Sequence, residues 1–292
     1  MKIQHSKKAI KKLKTLVASP NCDVNNFREK IDETFSNPFL SNRVQLEQTV
    51  INNISCDVLI PEVSSTSDVI LYIHGGSFIG GSAKAWRSFC SNISHIACEK
   101  LIIPDYRLAP QSPFPAALDD VKAVVKKLYM ESKKITIMAD GAGASIALGV
   151  LFKIKPEFRK QISGIYLFSP WLNLSHIIEK KRTKSKDKIA TIESIKWSAD
   201  LYTYSENTKN PFVSPVFATK EDLVGFPPVY IQYAENEVIE EDILDFKKIL
   251  RQENLPCILD KWEGMLHMFQ LVDEFYKESH LAVEKIAKMI KR

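Results

Sequence analysis

Two short stretches hold the residues whose types and spacing could do chemistry. Residues 135–147 run Ile-Thr-Ile-Met-Ala-Asp-Gly-Ala-Gly-Ala-Ser-Ile-Ala. This has the form of a strand entering a sharp turn and leaving as a helix, the setting of a nucleophile elbow. An activated serine would stand at the apex of that turn. The apex residue is Gly141, which has no side chain and cannot attack anything. The second stretch, His74-Gly75-Gly76-Ser77-Phe78, directly follows the apolar run 69–73. Consecutive glycines let backbone N–H groups turn inward and approach a bound group closely. Such donors can form an oxyanion hole, which stabilises charge developing on a carbonyl oxygen. A plain glycine turn would have the same letters, so this stretch gains meaning only from its surroundings.

The elements that must position these stretches alternate along the chain. Residues 7–17 place Ala9, Ile10, Leu13, Leu16 and Val17 at helical spacing with lysines opposite. A helix laid on a body as a lid explains them better than a membrane-surface helix, because the stripe is short. Residues 18–48 are polar and give few signals. Val50–Ile60 reads as an edge strand, and Val69–Ile73 as a strand buried in a parallel sheet. There follow a helix over 84–98, a strand Leu101–Pro104, a helix from Pro115 to Met130 and a strand Ile135–Met138. A helix from Ala142 to Ile154 and a strand Ile162–Phe168 come next. After an irregular stretch, 176–205, the pattern resumes with Val229–Ala234, a helix over 239–253, Pro256–Trp262 and a helix from 272. Alternation of this length implies a mostly parallel sheet covered by helices on both sides. The lysine-rich run 179–188 reads as a solvated loop or helix face. With no repeat and no low-complexity linker, one compact unit is expected.

Bulk properties fit that reading. The 292 residues suit one large α/β domain with a lid, and 45% apolar with 26% charged residues is ordinary globular composition. A net charge of +5 is mild and demands no nucleic-acid partner. Cys22, Cys56, Cys90, Cys98 and Cys257 are scattered without metal-ligand spacing, as free thiols in a reducing cytoplasm would be. No metal or cofactor is expected. Neither a signal peptide nor an integral membrane segment is expected, so the chain reads as cytoplasmic.

Further segments carry a family resemblance. Asp105-Tyr106-Arg107-Leu108-Ala109-Pro110 is followed by Pro113-Phe114-Pro115-Ala116-Ala117. Later come Ser169-Pro170-Trp171, Asn210-Pro211-Phe212-Val213-Ser214-Pro215, Phe226-Pro227-Pro228 and Gly264-Met265-Leu266-His267-Met268-Phe269. Together with the two stretches above, over roughly residues 50–290, the chain resembles the hormone-sensitive-lipase-like α/β-hydrolases, which include many carboxylesterases. The resemblance implies an α/β-hydrolase fold with a helical lid: an N-terminal lid segment over 1–49 and a hydrolase domain over 50–292 with a lid insertion at about 176–205. It implies that His267 is the general base. The family's acid pattern, Gly-x-x-Asp-Pro-Leu, is Ala234-Glu235-Asn236-Glu237-Val238-Ile239 here, so Glu237 takes the place of the orienting carboxylate, with Glu241 and Asp242 as competitors. The oxyanion hole maps to the main chain of Gly75, Gly76, Ser77 and Ala142. The departure is at the elbow. The family's Gly-Asp-Ser-Ala-Gly-Gly becomes Ala139-Asp140-Gly141-Ala142-Gly143-Ala144, three changes in six positions. Ser145 is a poor substitute nucleophile, since it stands about one helical turn beyond the apex.

Loss of the serine fits natural divergence better than an engineered replacement, because Ala139, Ala144 and Glu237 depart from the pattern as well. The expectation is a pseudo-esterase binding a small ester or carboxylate ligand in the former active site, with pairing into a homodimer left open. The alternatives are a carboxylesterase, either with an engineered Gly141 or with water activated by His267, and a protein-interaction scaffold. Serine-protease knockouts keep roughly 10³–10⁴-fold catalysis over water, so residual hydrolysis would be small.

Overall fold

Eight strands form one sheet in the computed structural model of the protein, which describes residues 5–37, 39–64, 67–175 and 186–291. The strands are β1 (Val44–Ile51), β2 (Ile54–Pro61), β3 (Asp68–Ile73), β4 (Lys100–Pro104), β5 (Lys134–Asp140), β6 (Ile162–Phe168), β7 (Val229–Ala234) and β8 (Cys257–Trp262). Their spatial order is β1-β2-β4-β3-β5-β6-β7-β8. β1 and β2 run antiparallel, as do β2 and β4, and every pairing from β4 to β8 is parallel. In the middle of the sheet, Val69–Ile73 and Ile135–Asp140 are buried along their whole lengths, as strands covered on both faces must be.

The edge differs from the expectation of one strand over 50–60. Asn52 and Asn53 both adopt left-handed backbone, with φ of 48° and 68°, and close a two-residue hairpin between β1 and β2. Asparagine tolerates that conformation, which a tight hairpin requires. The sheet therefore begins at Val44, and a boundary drawn between 49 and 50 falls inside a strand. β1 escapes detection because six of its eight residues are not buried, so it has little apolar alternation to read.

α3 (Ala83–Ala97) and α9 (Lys277–Ile290) pack on each other, with α3 also against β2. α4 (Ala116–Glu131) packs on α5 (Gly141–Lys153). Residues 142–152 of α5 are all buried, so this helix is the core element carrying the elbow. Gly143 allows its seat: a Cβ there would come within 2.3 Å of the carbonyl oxygens of Ile73 and His74. α6 (Pro156–Arg159) is a single turn, and α8 (Glu240–Gln252) lies beside β8.

The cover is built from two parts of the chain. α1 (Lys7–Lys14) and α2 (Val24–Phe35) form one, and α7 (Ile192–Tyr202) the other. α1 buries Ala9 and Leu13 and exposes four of its five lysines. α2 is fastened by Arg28, whose guanidinium donates to the carbonyls of Ile79 (2.7 Å) and Ala109 (2.9 Å). Of the insertion expected at 176–205, residues 176–185 lie outside the described ones, as does most of the run 179–188. Among the described residues no helix is long and apolar enough to cross a membrane. All five cysteines are free.

Candidate active site

β5 delivers the chain to Gly141, the first residue of α5, whose φ is +46°. That is left-handed backbone, costing on the order of 1–3 kcal/mol for a residue with a side chain. Space is not the obstacle: a Cβ built at 141 would have Gly75 Cα, 4.0 Å away, as its nearest neighbour. Glycine relaxes the turn and leaves open room where a nucleophile would project. Ser145 gives no replacement. It lies in the second turn of α5, buried, with its hydroxyl donated to the carbonyl of Trp171.

Residues 74–78 turn over the elbow with three successive positive φ angles, 110° at Gly76, 59° at Ser77 and 66° at Phe78. The last two are strained for residues with side chains. They are held from several sides. Gly80 N–H donates to Gly76 O (2.9 Å), Phe78 stacks on Tyr202 with ring centres 4.0 Å apart, and Ser77 Oγ donates to Leu16 O (3.2 Å). The N–H groups of Gly76 and Ser77 have no partner among the described residues, and that of Ala142 belongs to the first turn of α5, which has no carbonyl to bond. Gly75 is used otherwise: its N–H donates to Asp140 Oδ1 at 3.0 Å. His74 is enclosed by rings, stacked on Tyr106 and tilted against Trp86, with Nδ1 2.8 Å from Gly75 O. It shapes the loop and does not face the pocket.

Asp140 joins elbow to loop. Its Oδ1 accepts from Tyr72 Oη (2.9 Å) as well as from Gly75. Burial pushes this carboxyl up to about 7, against the pull of those hydrogen bonds.

Across the cavity stands His267. Its Nδ1 lies 3.3 Å from Glu237 Oε2, close enough for charge attraction but out of line for a hydrogen bond. Burial works against protonation of His267, and the nearby Glu237 carboxylate overrides it, raising the imidazole above its ordinary value. Glu237 is held in turn: Oε1 accepts from Ala234 N–H (2.8 Å) and from Ser169 Oγ (2.6 Å), and Ser169 Oγ accepts from Met268 N–H (3.3 Å). Ser169 thus ties the loop after β6 to those carrying Glu237 and His267. Glu241 and Asp242 line a separate cavity with Asn173 and Ser175.

The sequence shows Ser169 only as part of a motif, and it shows nothing of Asp187. That carboxylate accepts from Val238 N–H (3.1 Å) and from Ile189 N–H (2.8 Å), seating the end of the insertion on the loop that carries Glu237. Neither the anchoring of Glu237 by Ser169 nor the contact of Asp187 with Val238 has a local signal, because those partners are tens of residues away.

Gly141, Ala142, Gly76, Ser77, Asp140 and His267 line one cavity. The cover closes it through Leu16 and Val17 from one part and Ser194, Ile195 and Ser198 from the other, with Trp171 at the side. The hydroxyls of Ser194 and Ser198 are spent on helix carbonyls, those of Thr191 (2.7 Å) and Ser194 (2.9 Å). The enclosed space is narrow, about 40 Å³. Among the described residues no cluster suits a metal ion.

A family model described as the alpha/beta hydrolase fold matches residues 70–271. An esterase of Acinetobacter venetianus is 30% identical over 229 residues, covering 77% of this chain and 75% of that protein. An acetyl-hydrolase of Streptomyces hygroscopicus is 26% identical over 219 residues, covering 74% of this chain and 72% of its own. The crystal structure of an esterase from the bacterial hormone-sensitive lipase family superposes with a TM-score of 0.89 at 23% identity, over 99% of both chains.

Proposed function

Since this chain belongs to the α/β-hydrolase fold family, we propose that it is a pseudo-esterase of the hormone-sensitive-lipase-like kind. Its former active site holds a small carboxylate or acyl ligand and does not turn it over. One observation carries the reading. The apex at Gly141 has the backbone and the room for a serine and lacks the side chain, while Gly76, Ser77, Ala142 and His267 still line the same cavity.

What remains suits an anion. Three main-chain N–H groups, one of them at the start of α5, offer donors with fixed direction, and a helix N-terminus favours negative charge. His267 adds a cation when protonated, which Glu237 favours. Asp140 opposes an anion when ionised, and it titrates near 7. A carboxylate therefore binds more tightly on the acid side of neutrality, taking up a proton as it enters. Size limits the ligand: one water needs on the order of 10–15 Å³ of such space, so the cavity admits a short acyl group unless the cover moves.

The same open room supports a second reading, in which water stands at the missing hydroxyl's place and His267 takes its proton as it attacks a bound ester. One experiment separates the two. Hydrolysis of p-nitrophenyl acetate is measured for the parent, Gly141→Ser and His267→Gln, and binding of acetate, propionate and butyrate is followed by calorimetry. An inert parent that binds a carboxylate, with an active Gly141→Ser, is the expected result. Hydrolysis by the parent that disappears in His267→Gln sinks the pseudo-esterase and supports activated water.

A further inference from the structure

The first helix of the cover, α1, is basic on its outer face. Lys7, Lys11 and Lys14 recur on one face of α1, because residues spaced three and four apart on a helix are neighbours. With Lys30 of α2 they surround an open groove of about 500 Å³, whose other lining residues are Ile10, Thr15 and Ser19. No carboxylate lines the groove. None of these four lysines has an ion-pair partner among the described residues, whereas Lys12 of the same helix pairs with Glu274.

Four unpaired ammonium groups around one groove repel one another, and no carboxylate in the groove's lining offsets this. A partner of opposite charge does. Lysine stems over an Ile10 floor, with ammonium groups above, match a layer of lipid headgroups. The groove has no arginine or aromatic ring to read bases, and α1 is laid on the body, so it is not free to enter a nucleic-acid groove. Position gives the surface a use: α1 runs on into Leu16 and Val17, which line the pocket.

We propose that this lysine face docks the protein peripherally on an anionic phospholipid bilayer, with the pocket's cover turned toward the lipid. The proposal goes beyond the ligand reading and does not depend on it.

Flotation with vesicles tests it, using phosphatidylcholine alone or mixed with phosphatidylglycerol, at low and at physiological salt. Binding is expected only with phosphatidylglycerol, and salt should weaken it. Changing Lys7, Lys11, Lys14 and Lys30 together to glutamine should lower partitioning at least tenfold, since each lysine near such a surface is worth about fivefold. A control changing Lys126, Lys133, Lys160 and Lys220 to glutamine alters net charge equally and should keep most of the binding. Equal losses in both variants would overturn the proposal, as would indifference to phosphatidylglycerol. So would retention on duplex DNA at a salt concentration that strips the vesicles.

Discussion

At the scale of single residues, the site brings Gly141, Ala142, Gly76, Ser77, Asp140 and His267 around one cavity. Gly141→Ser restores the hydroxyl with no steric clash, because a Cβ there has 4.0 Å of clearance. The variant should hydrolyse p-nitrophenyl acetate, and adding His267→Gln to it should cost a further factor of about 10²–10⁴. The serine must then sit at φ +46°, so chemical denaturation should show Gly141→Ser less stable than the parent by about 1 kcal/mol. Ser169→Ala is a different kind of loss. It removes the hydroxyl shared by Glu237 and Met268 N–H, leaving buried polar groups short of a partner. Denaturant titration should register a loss of about 1–3 kcal/mol.

Elements decide whether those residues meet. Arg28 clamps α2 to the carbonyl of Ile79, just beyond the 74–78 loop, and to that of Ala109. Arg28→Ala should leave the sheet intact and speed amide hydrogen exchange through 24–35, with the strands unchanged. Much of this layer is legible in the sequence. β3, β5 and β6 are short apolar runs, and the elbow and the 74–78 loop follow their strands directly, so period and punctuation place them. Other parts are not legible, for physical reasons. β1 is mostly exposed and carries no alternation, and α2 turns only Phe27 and Ile31 into the core from a polar stretch. The placement of Glu237 beside His267 follows the family pattern. Its anchoring by Ser169 and the seating of Asp187 depend on contacts between loops that no spacing records.

For the whole molecule, buried titrating groups set the dependence on pH. Asp140 titrates near 7 in the folded protein, against an ordinary value of 3.8. The folded state therefore keeps a proton that the unfolded chain releases, and stability falls as pH rises from about 4 to 7. His267 adds to this near neutrality: its contribution is complete below 6.5 and fades as pH rises through its raised value. Thermal melting should give a lower Tm at pH 8 than at pH 6. Asp140→Asn keeps an acceptor for Tyr72 and Gly75 without a charge, so it should flatten the slope, removing about 1 kcal/mol of the difference between pH 6 and pH 8. The cover has its own consequence at this scale. Ser77 offers its N–H inward and its hydroxyl outward to Leu16, two residues beyond α1, so a single residue is shared by the interior and the segment that follows the first helix. Linkage makes such sharing reciprocal: whatever steadies the inner donor steadies the outer helix to the same degree. Occupancy of the pocket would then be legible from outside, as a stiffening of residues 7–17 that amide exchange can record.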